Sequence, residues 1–372
     1  MSRSSTPPVG NAVWVAITSL LVLVVIGLMN LRNAALYASQ SFHQTQVLWV
    51  VIGLVLAVGV ALVDLRLFER LTPVFYWSGI LLLVVVLLFG REANNARRWI
   101  AIGDAVFQPS EFIKPALVLM LARFFHSERS PERYTLRTLL RPMGLVALPA
   151  GLILLEPDLG TSLVVIAVGF SIMFFQGIRL RSFLMLLGII LLLIPLAWRL
   201  DIIQPYQKER VRVWLQMNTD QPEGRKKLDR GMQPEQALWA VGSGRWFGKG
   251  GLQGVQSRLK TLPEMHTDFI LATYAEERGF VGCVFLFFLY GVLITALLFV
   301  AVQSRERFGV LVSVGAVAII FWQLVFNAGM VLGLFPVVGL TMPFLSYGGS
   351  ATIASLFAVG LALNAGLHRG HV

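Results

Sequence analysis

Leu262-Pro263-Glu264-Met265-His266-Thr267-Asp268-Phe269 closes the one long polar stretch of this chain, residues 199–268, just before apolar sequence resumes. Every other connection between apolar segments is short. About 20 helical residues cross a roughly 30 Å hydrocarbon core. Ten apolar segments stand near that length: 11–31, 45–63, 73–90, 109–125, 143–155, 160–176, 183–198, 280–302, 310–332 and 344–366. The expected fold is all-α, a polytopic membrane protein of about ten transmembrane helices. Residues 199–279 form its large extracytoplasmic loop, between the seventh and eighth spans. The fifth segment, 143–155, is short enough to read as a tilted or half-membrane helix. Glu156-Pro157-Asp158-Leu159-Gly160 then turns at once into the sixth, which implies a tight helical hairpin with an acidic tip.

Composition agrees with this reading. Only 14% of the 372 residues are charged and 56% are hydrophobic, where a soluble domain carries about 25% charge. Mean hydropathy is +0.73. The apolar runs are continuous rather than alternating, which excludes a closed β-barrel. The net charge of +11 is scattered between spans, so it reflects membrane topology and implies no nucleic-acid partner. Cys283 has no second cysteine, so disulfides and cysteine metal sites are ruled out. The first segment, Asn11 to Met29, is too long for a signal-peptide core and reads as a retained span.

Arginine in the short loops sets the orientation. With both termini cytoplasmic, inner loops hold thirteen arginines and outer short loops four, namely Arg32, Arg91, Arg97 and Arg98. The 199–279 stretch then faces outward, together with the loops carrying Arg97-Arg98-Trp99, Glu156/Asp158 and Gly339 to Ser350.

Several polar groups on that side could carry chemistry. Asp268 is either a helix-start residue, with Thr267 as N-cap, or a general base for a nearby hydroxyl. Glu264, His266 and Asp268 match no strong metal-ligand spacing, and no metal site is expected. Glu111 and Lys114 share one helix face, either as a structural ion pair or as an anion contact. Arg98 beside Trp99, and Arg210 with Arg212 after Pro205-Tyr206-Gln207, suit phosphate oxygens. Asp158 serves either as cap of the following helix or as a site residue. Gly242-Ser243-Gly244 and Gly248-Lys249-Gly250-Gly251 suit backbone turns, near a ligand or in a plain loop.

Five stretches together resemble one family: RRWIAIGDAVFQPSEFIK (97–114), EPDLGTS (156–162), PYQKERV (205–211), LPEMHTDFILATYAEERGFVG (262–282) and FPVVGLTMPFLSYGGSA (335–351). In this order they resemble the SEDS proteins (shape, elongation, division and sporulation), polytopic peptidoglycan glycosyltransferases, with one integral membrane domain over 1–372. Gln256-Ser257, Ala275-Glu276-Glu277 and Phe335-Pro336-Val337-Val338-Gly339 are closer to the RodA-like elongation branch than to the FtsW-like division branch. The loop departs from the family pattern at 218–224, Gln236-Ala237, Arg245 and Thr261.

The resemblance implies that lipid II disaccharides are joined by β-1,4 links, with inversion, at the outer face of the bacterial plasma membrane. Asp268 matches the family's essential aspartate. Lys114, Arg98 and Arg210 are the candidate pyrophosphate contacts, and Glu111, Trp99, Asp158, His266 and Glu264 complete the expected substrate site. No cofactor is required, with a divalent cation left open as a helper. The implied partners are a class B penicillin-binding transpeptidase and other elongation-complex membrane proteins. A lipid II flippase and a scaffold are the competing functions.

Overall fold

The computed structural model describes residues 9–38, 42–93, 96–102, 105–128, 134–179, 205–217, 232–254 and 264–367, with parts of 181–199. Helices α1 (Val9–Ala38), α2 (Phe42–Leu62), α3 (Leu65–Phe89), α4 (Pro109–Ser127), α5 (Leu136–Leu155) and α6 (Leu159–Phe175) are followed by two loop helices, α7 (Pro205–Met217) and α8 (Met232–Ser243). Three long helices complete the bundle: α9 (Ile270–Gln303), α10 (Arg307–Val331) and α11 (Gly349–Leu367). Among the described residues, seven helices are long and apolar enough to cross a membrane. Three charges, Glu111, Lys114 and Arg123, keep α4 out of that set, and α6 has 17 residues. The expected seventh span, 183–198, lies largely outside the described residues.

The burial pattern follows from the sequence. In α3, Leu65, Phe68, Thr72, Tyr76, Ile80, Leu83 and Val86 recur at three- and four-residue spacing and are buried, while Leu81 and Leu88 face outward. By contrast α10 is apolar on every side, so it can sit at the centre, and its span is 78% buried against α4, α6, α9 and α11.

Two helix boundaries and one loop differ from the sequence reading. The fifth span is a full helix of 20 residues, not a half-membrane segment. Its first two turns hold Arg137, Arg141 and Pro142, which hide them from hydropathy. The eighth begins at Ile270 instead of 280, because Glu276, Glu277 and Arg278 interrupt the apolar run without ending the helix. Gly279 breaks it internally, with φ 66° and ψ −167°. The outer 91–107 loop, finally, carries a small antiparallel sheet, β1 (Arg91–Ala93), β2 (Ala96–Ile102) and β3 (Ala105–Phe107) in that order, with Arg91 opposite Trp99 and Ile100 opposite Phe107.

The connections expected on the outer side meet at one end of the bundle. Gln108 N donates to Ser350 Oγ (3.0 Å), Arg98 Nε to Glu156 O (3.3 Å), and Arg210 Nη1 to Val337 O (2.9 Å). The opposite end carries the arginine-rich contacts, including Arg66 with Glu306 (3.8 Å) and Arg123 Nη1 with Glu69 O (3.0 Å).

Inside α4, Lys114 Nζ lies 2.7 Å from Glu111 Oε2, and both side chains are almost wholly buried. Lys114→Met would strand a buried carboxylate and should lower stability by about 3–5 kcal/mol. The double replacement Glu111→Gln/Lys114→Met should recover most of that loss, as read by thermal unfolding in detergent.

Candidate functional site

Asp268 stands two residues before α9, outside its first turn. Phe269 occupies the N-cap position without a side-chain cap bond, so neither Thr267 nor Asp268 caps the helix. Thr267 Oγ1 turns back to Glu264 Oε2 (3.0 Å), which leaves the Asp268 carboxyl free of a capping role. The segment 264–269 is instead held through its backbone. Ser346 Oγ donates to Thr267 O (2.6 Å), Tyr347 N to His266 O (2.8 Å), and Asn327 Nδ2 to Asp268 O (2.9 Å).

The carboxyl itself opens toward Gly339. A Cβ at that position would lie 3.4 Å from Asp268 Oδ2 and 3.8 Å from Arg210 Nη1. With φ at +72°, a glycine is the residue this turn favours, and it leaves the space between acid and cation open. Next to it lies a small, shallow recess lined by Arg98, Pro157, Leu159, Gln207, Arg210, Val211 and Pro336 to Val338. Two guanidinium groups on one small recess suit a phosphate or pyrophosphate group.

Charges on three connections set the protonation of Asp268. Burial pushes its pKa up to about 6, the Glu264 and Asp158 carboxylates add to that rise, and Arg210 and Arg98 oppose it. A half-buried aspartate with that value is ionised at neutral pH yet basic enough to accept a proton. His266 stacks on Phe42 with ring centroids 4.6 Å apart, and burial lowers its pKa, so the ring is neutral at pH 7.

The other expected residues divide. Asp158 does cap α6, accepting from Thr161 N (3.1 Å) and Thr161 Oγ1 (2.9 Å), and also meets Gln108 Nε2 (3.3 Å). Arg98 joins this tip to the recess, since its guanidinium also donates to Pro157 O. Glu264 is exposed, at φ +53°, and acts on Asp268 through its charge. Lys114, with Glu111, is buried inside the bundle and does not line the recess; nor does Trp99, half-buried in β2. Arg212 points away and pairs with Glu209 (3.8 Å).

Three further residues escaped the sequence reading or gained a different role. Asn327 was detectable as one of two amides, with Gln323, in an apolar run, the kind of residue that membrane depth makes costly unless it is used. Gln207 is buried on the recess wall. Glu156, 1% exposed with neither carboxyl oxygen hydrogen-bonded, has its pKa pushed up to about 8 by burial and by Asp158, against Arg98, and is mostly neutral at pH 7. Among the described residues no group of three or more His, Cys, Asp or Glu is arranged to hold a metal ion.

Residues 10–371 match the FtsW, RodA and SpoVE family model, described as cell cycle proteins. The peptidoglycan glycosyltransferase MrdB of Escherichia coli is 37% identical over 320 residues, covering 86% of this chain and 84% of that protein. A probable peptidoglycan glycosyltransferase FtsW of Nitrosomonas europaea is 33% identical, covering 98% of this chain and 96% of its own length. Among solved structures, one from a peptidoglycan synthase complex, described as coordinating polymerization and crosslinking, superposes with a TM-score of 0.81 at 33% identity. The rod shape determining protein RodA of Thermus thermophilus gives 0.71 at 31%. Each covers 96% of this chain and 98% of its own.

The raised pKa of Asp268 has a stability consequence with a defined sign. Its stabilising contribution is complete below the usual value of 3.8 and is lost as pH rises through about 6. Asp268→Asn should therefore leave stability unchanged below pH 4 and raise it above pH 6, by at most about 3 kcal/mol. Thermal unfolding across that pH range would show the divergence.

Proposed function

The chain belongs to the FtsW, RodA and SpoVE family and is a multi-pass membrane peptidoglycan glycosyltransferase, and we propose that it polymerises lipid II with Asp268 as general base. An acceptor sugar hydroxyl gives its proton to Asp268 as its oxygen attacks the anomeric carbon of the lipid-linked donor. The bond from that carbon to the phosphate oxygen breaks on the opposite face, so an α-linked donor gives a β-1,4 product by inversion. Polyprenyl pyrophosphate leaves with growing negative charge, and Arg98 and Arg210 are the fixed cations aimed at it. The single observation that supports this most is the placing of Asp268 and Arg210 around the open space at Gly339.

Other parts of the reading follow from the same geometry. With the pyrophosphate held at Arg98 and Arg210, the polyprenyl tail lies along the apolar helix surface. Lys114 keeps Glu111 as its partner and supports α4 from within. His266 and Glu264 border the acceptor, while Asp158 and Trp99 shape the hairpin and sheet side. No cofactor is invoked, since the arginines oppose the leaving charge; polymer formation should persist in a chelator of divalent cations.

The biological setting is the outer face of a bacterial plasma membrane, with the termini cytoplasmic. Similarity to a rod shape determining protein supports a role in elongation, and a division role is the alternative within the family. Similarity to a synthase complex that couples polymerization with crosslinking supports a class B penicillin-binding transpeptidase as partner, among other elongation-complex membrane proteins.

The test uses purified protein in liposomes with labelled lipid II, scoring glycan polymer. Asp268→Asn should lower turnover by about 10²–10⁴-fold, the usual contribution of a general base. Arg210→Met and Arg98→Met should each cost about 10²-fold. In the unmodified protein, turnover should rise with pH through about 6 as Asp268 ionises. Wild-type polymerisation by Asp268→Asn would refute the general-base role.

A further inference from the structure

Two adjacent acids lie buried at an unfavourable place. Glu276 is 0% and Glu277 2% exposed, in the last turn of the helical segment that Gly279 ends. Negative charge at the C-terminal end of a helix opposes the macrodipole, and burial adds a desolvation cost. Something must hold them.

Two elements do so. From the strap 243–254, Lys249 Nζ reaches Glu276 Oε1 at 2.8 Å, and Leu252 N donates to Glu277 Oε1 at 3.2 Å. From α1, Asn33 Nδ2 and Tyr37 OH donate to the two oxygens of Glu277 at 2.7 and 3.0 Å. Tyr37 OH in turn accepts from Gly254 N at 3.1 Å, which joins strap and helix directly.

The backbone of the strap also stitches the break in α9. Lys249 N and Gly250 N donate to Glu276 O and Glu277 O (3.0 and 3.1 Å), satisfying carbonyls that the interrupted helix leaves open. On the far side, Phe280 N and Val281 N donate to Arg245 O and Trp246 O (2.8 and 3.0 Å). Gly248 fits here because a Cβ would come within 2.2 Å of Glu277 O. The glycine-rich turns that the sequence associated with a ligand or a plain loop serve as this contact instead.

Because Gly279 interrupts the helix, the direction of 270–278 is not fixed by the membrane span that follows. It is fixed sideways, by the strap, by α1 and by Asn30 Nδ2, which donates to Ile270 O at 3.2 Å. Asp268 lies just ahead of the N-terminal end of that segment, where Asn327 holds its carbonyl and the segment's direction sets where its carboxyl points.

We propose that Glu276 and Glu277 are positioning residues: with Lys249, Asn33 and Tyr37 they clamp the 270–278 segment and so hold Asp268 in register with the Arg98–Arg210 recess. This rests on the general-base reading of Asp268. A misplacement of about 1 Å can cost about 10²-fold in rate, so a clamp remote from the substrate can govern turnover.

The experiment compares Lys249→Met, Glu277→Gln, Tyr37→Phe and Lys249→Arg in full-length protein in liposomes with labelled lipid II. Lys249→Met and Glu277→Gln should lower kcat by roughly tenfold or more with KM unchanged, since the recess is untouched. Tyr37→Phe, which keeps the ring, should show a smaller effect in the same direction, and Lys249→Arg should keep wild-type turnover. A loosened segment admits water to Asp268, so the acid limb of kcat/KM should move below pH 6. The groups that face Asp268 (Glu264, Asp158, Arg210 and Arg98) are unaltered in every variant. Unchanged kcat and an unmoved acid limb in Lys249→Met, Glu277→Gln and Tyr37→Phe would overturn the clamp, as would lower melting temperatures with kcat per folded molecule retained. Asp268→Asn run alongside separates the two ideas: if it polymerises normally, the general-base reading fails, whereas an inactive Asp268→Asn beside fully active clamp variants rejects this inference alone.

Discussion

Asn327 binds the two irregular segments of the site to each other. From the C-terminal end of α10 and wholly buried, its amide nitrogen donates to Asp268 O at 2.9 Å and to Leu340 O at 2.6 Å. Irregular backbone that is buried must have its polar groups satisfied by protein or water. Segments 264–269 and 332–348 meet that condition through Asn327, through Ser346 Oγ on Thr267 O, and through Ser346 Oγ accepting from Met342 N at 2.8 Å. The most central helix of the bundle thus supports the least regular part of the chain.

That arrangement allows an acid to be kept basic without being neutralised. Burial and two neighbouring carboxylates raise Asp268, and two arginines restrain the rise, leaving a value of about 6. A closer ion pair would have lowered the pKa and removed the base. Deeper burial with a weaker cation influence would have kept the group protonated, as Glu156 mostly is one hairpin away despite Arg98. The same arginines stand where a leaving pyrophosphate needs positive charge, so one pair of cations adjusts the base and meets the product.

Much of this was legible in the sequence, because hydropathy and motif spacing report the parts that lipid and chemistry constrain most. The spans among the described residues, the Glu156–Asp158 hairpin, the Glu111–Lys114 pair and Asp268 before the eighth span could all be read from residue order. Helix limits were missed where charges interrupt apolar runs, as at Arg137 and at Glu276-Glu277, since local composition cannot tell a buried, partnered acid from a loop. The capping role of Thr267 failed because tertiary bonds from Ser346 and Tyr347 capture this backbone first. The fit of the strap to the break at Gly279 depends on residues about thirty positions apart, which no periodicity connects. At Lys114 the sequence left an ion pair and an anion contact both open, and the 2.7 Å bond to Glu111 matches the first.

The central claim is that Asp268 and the Arg98–Arg210 recess act on the two sides of one glycosidic displacement. A cryo-electron microscopy structure with a non-reactive lipid II analogue in donor and acceptor positions tests it most directly. The expected structure has an acceptor hydroxyl within about 3.2 Å of the Asp268 carboxylate and the donor pyrophosphate between Arg98 and Arg210. A pyrophosphate seated at Lys114, or a productive sugar pair with no hydroxyl near Asp268, would contradict it.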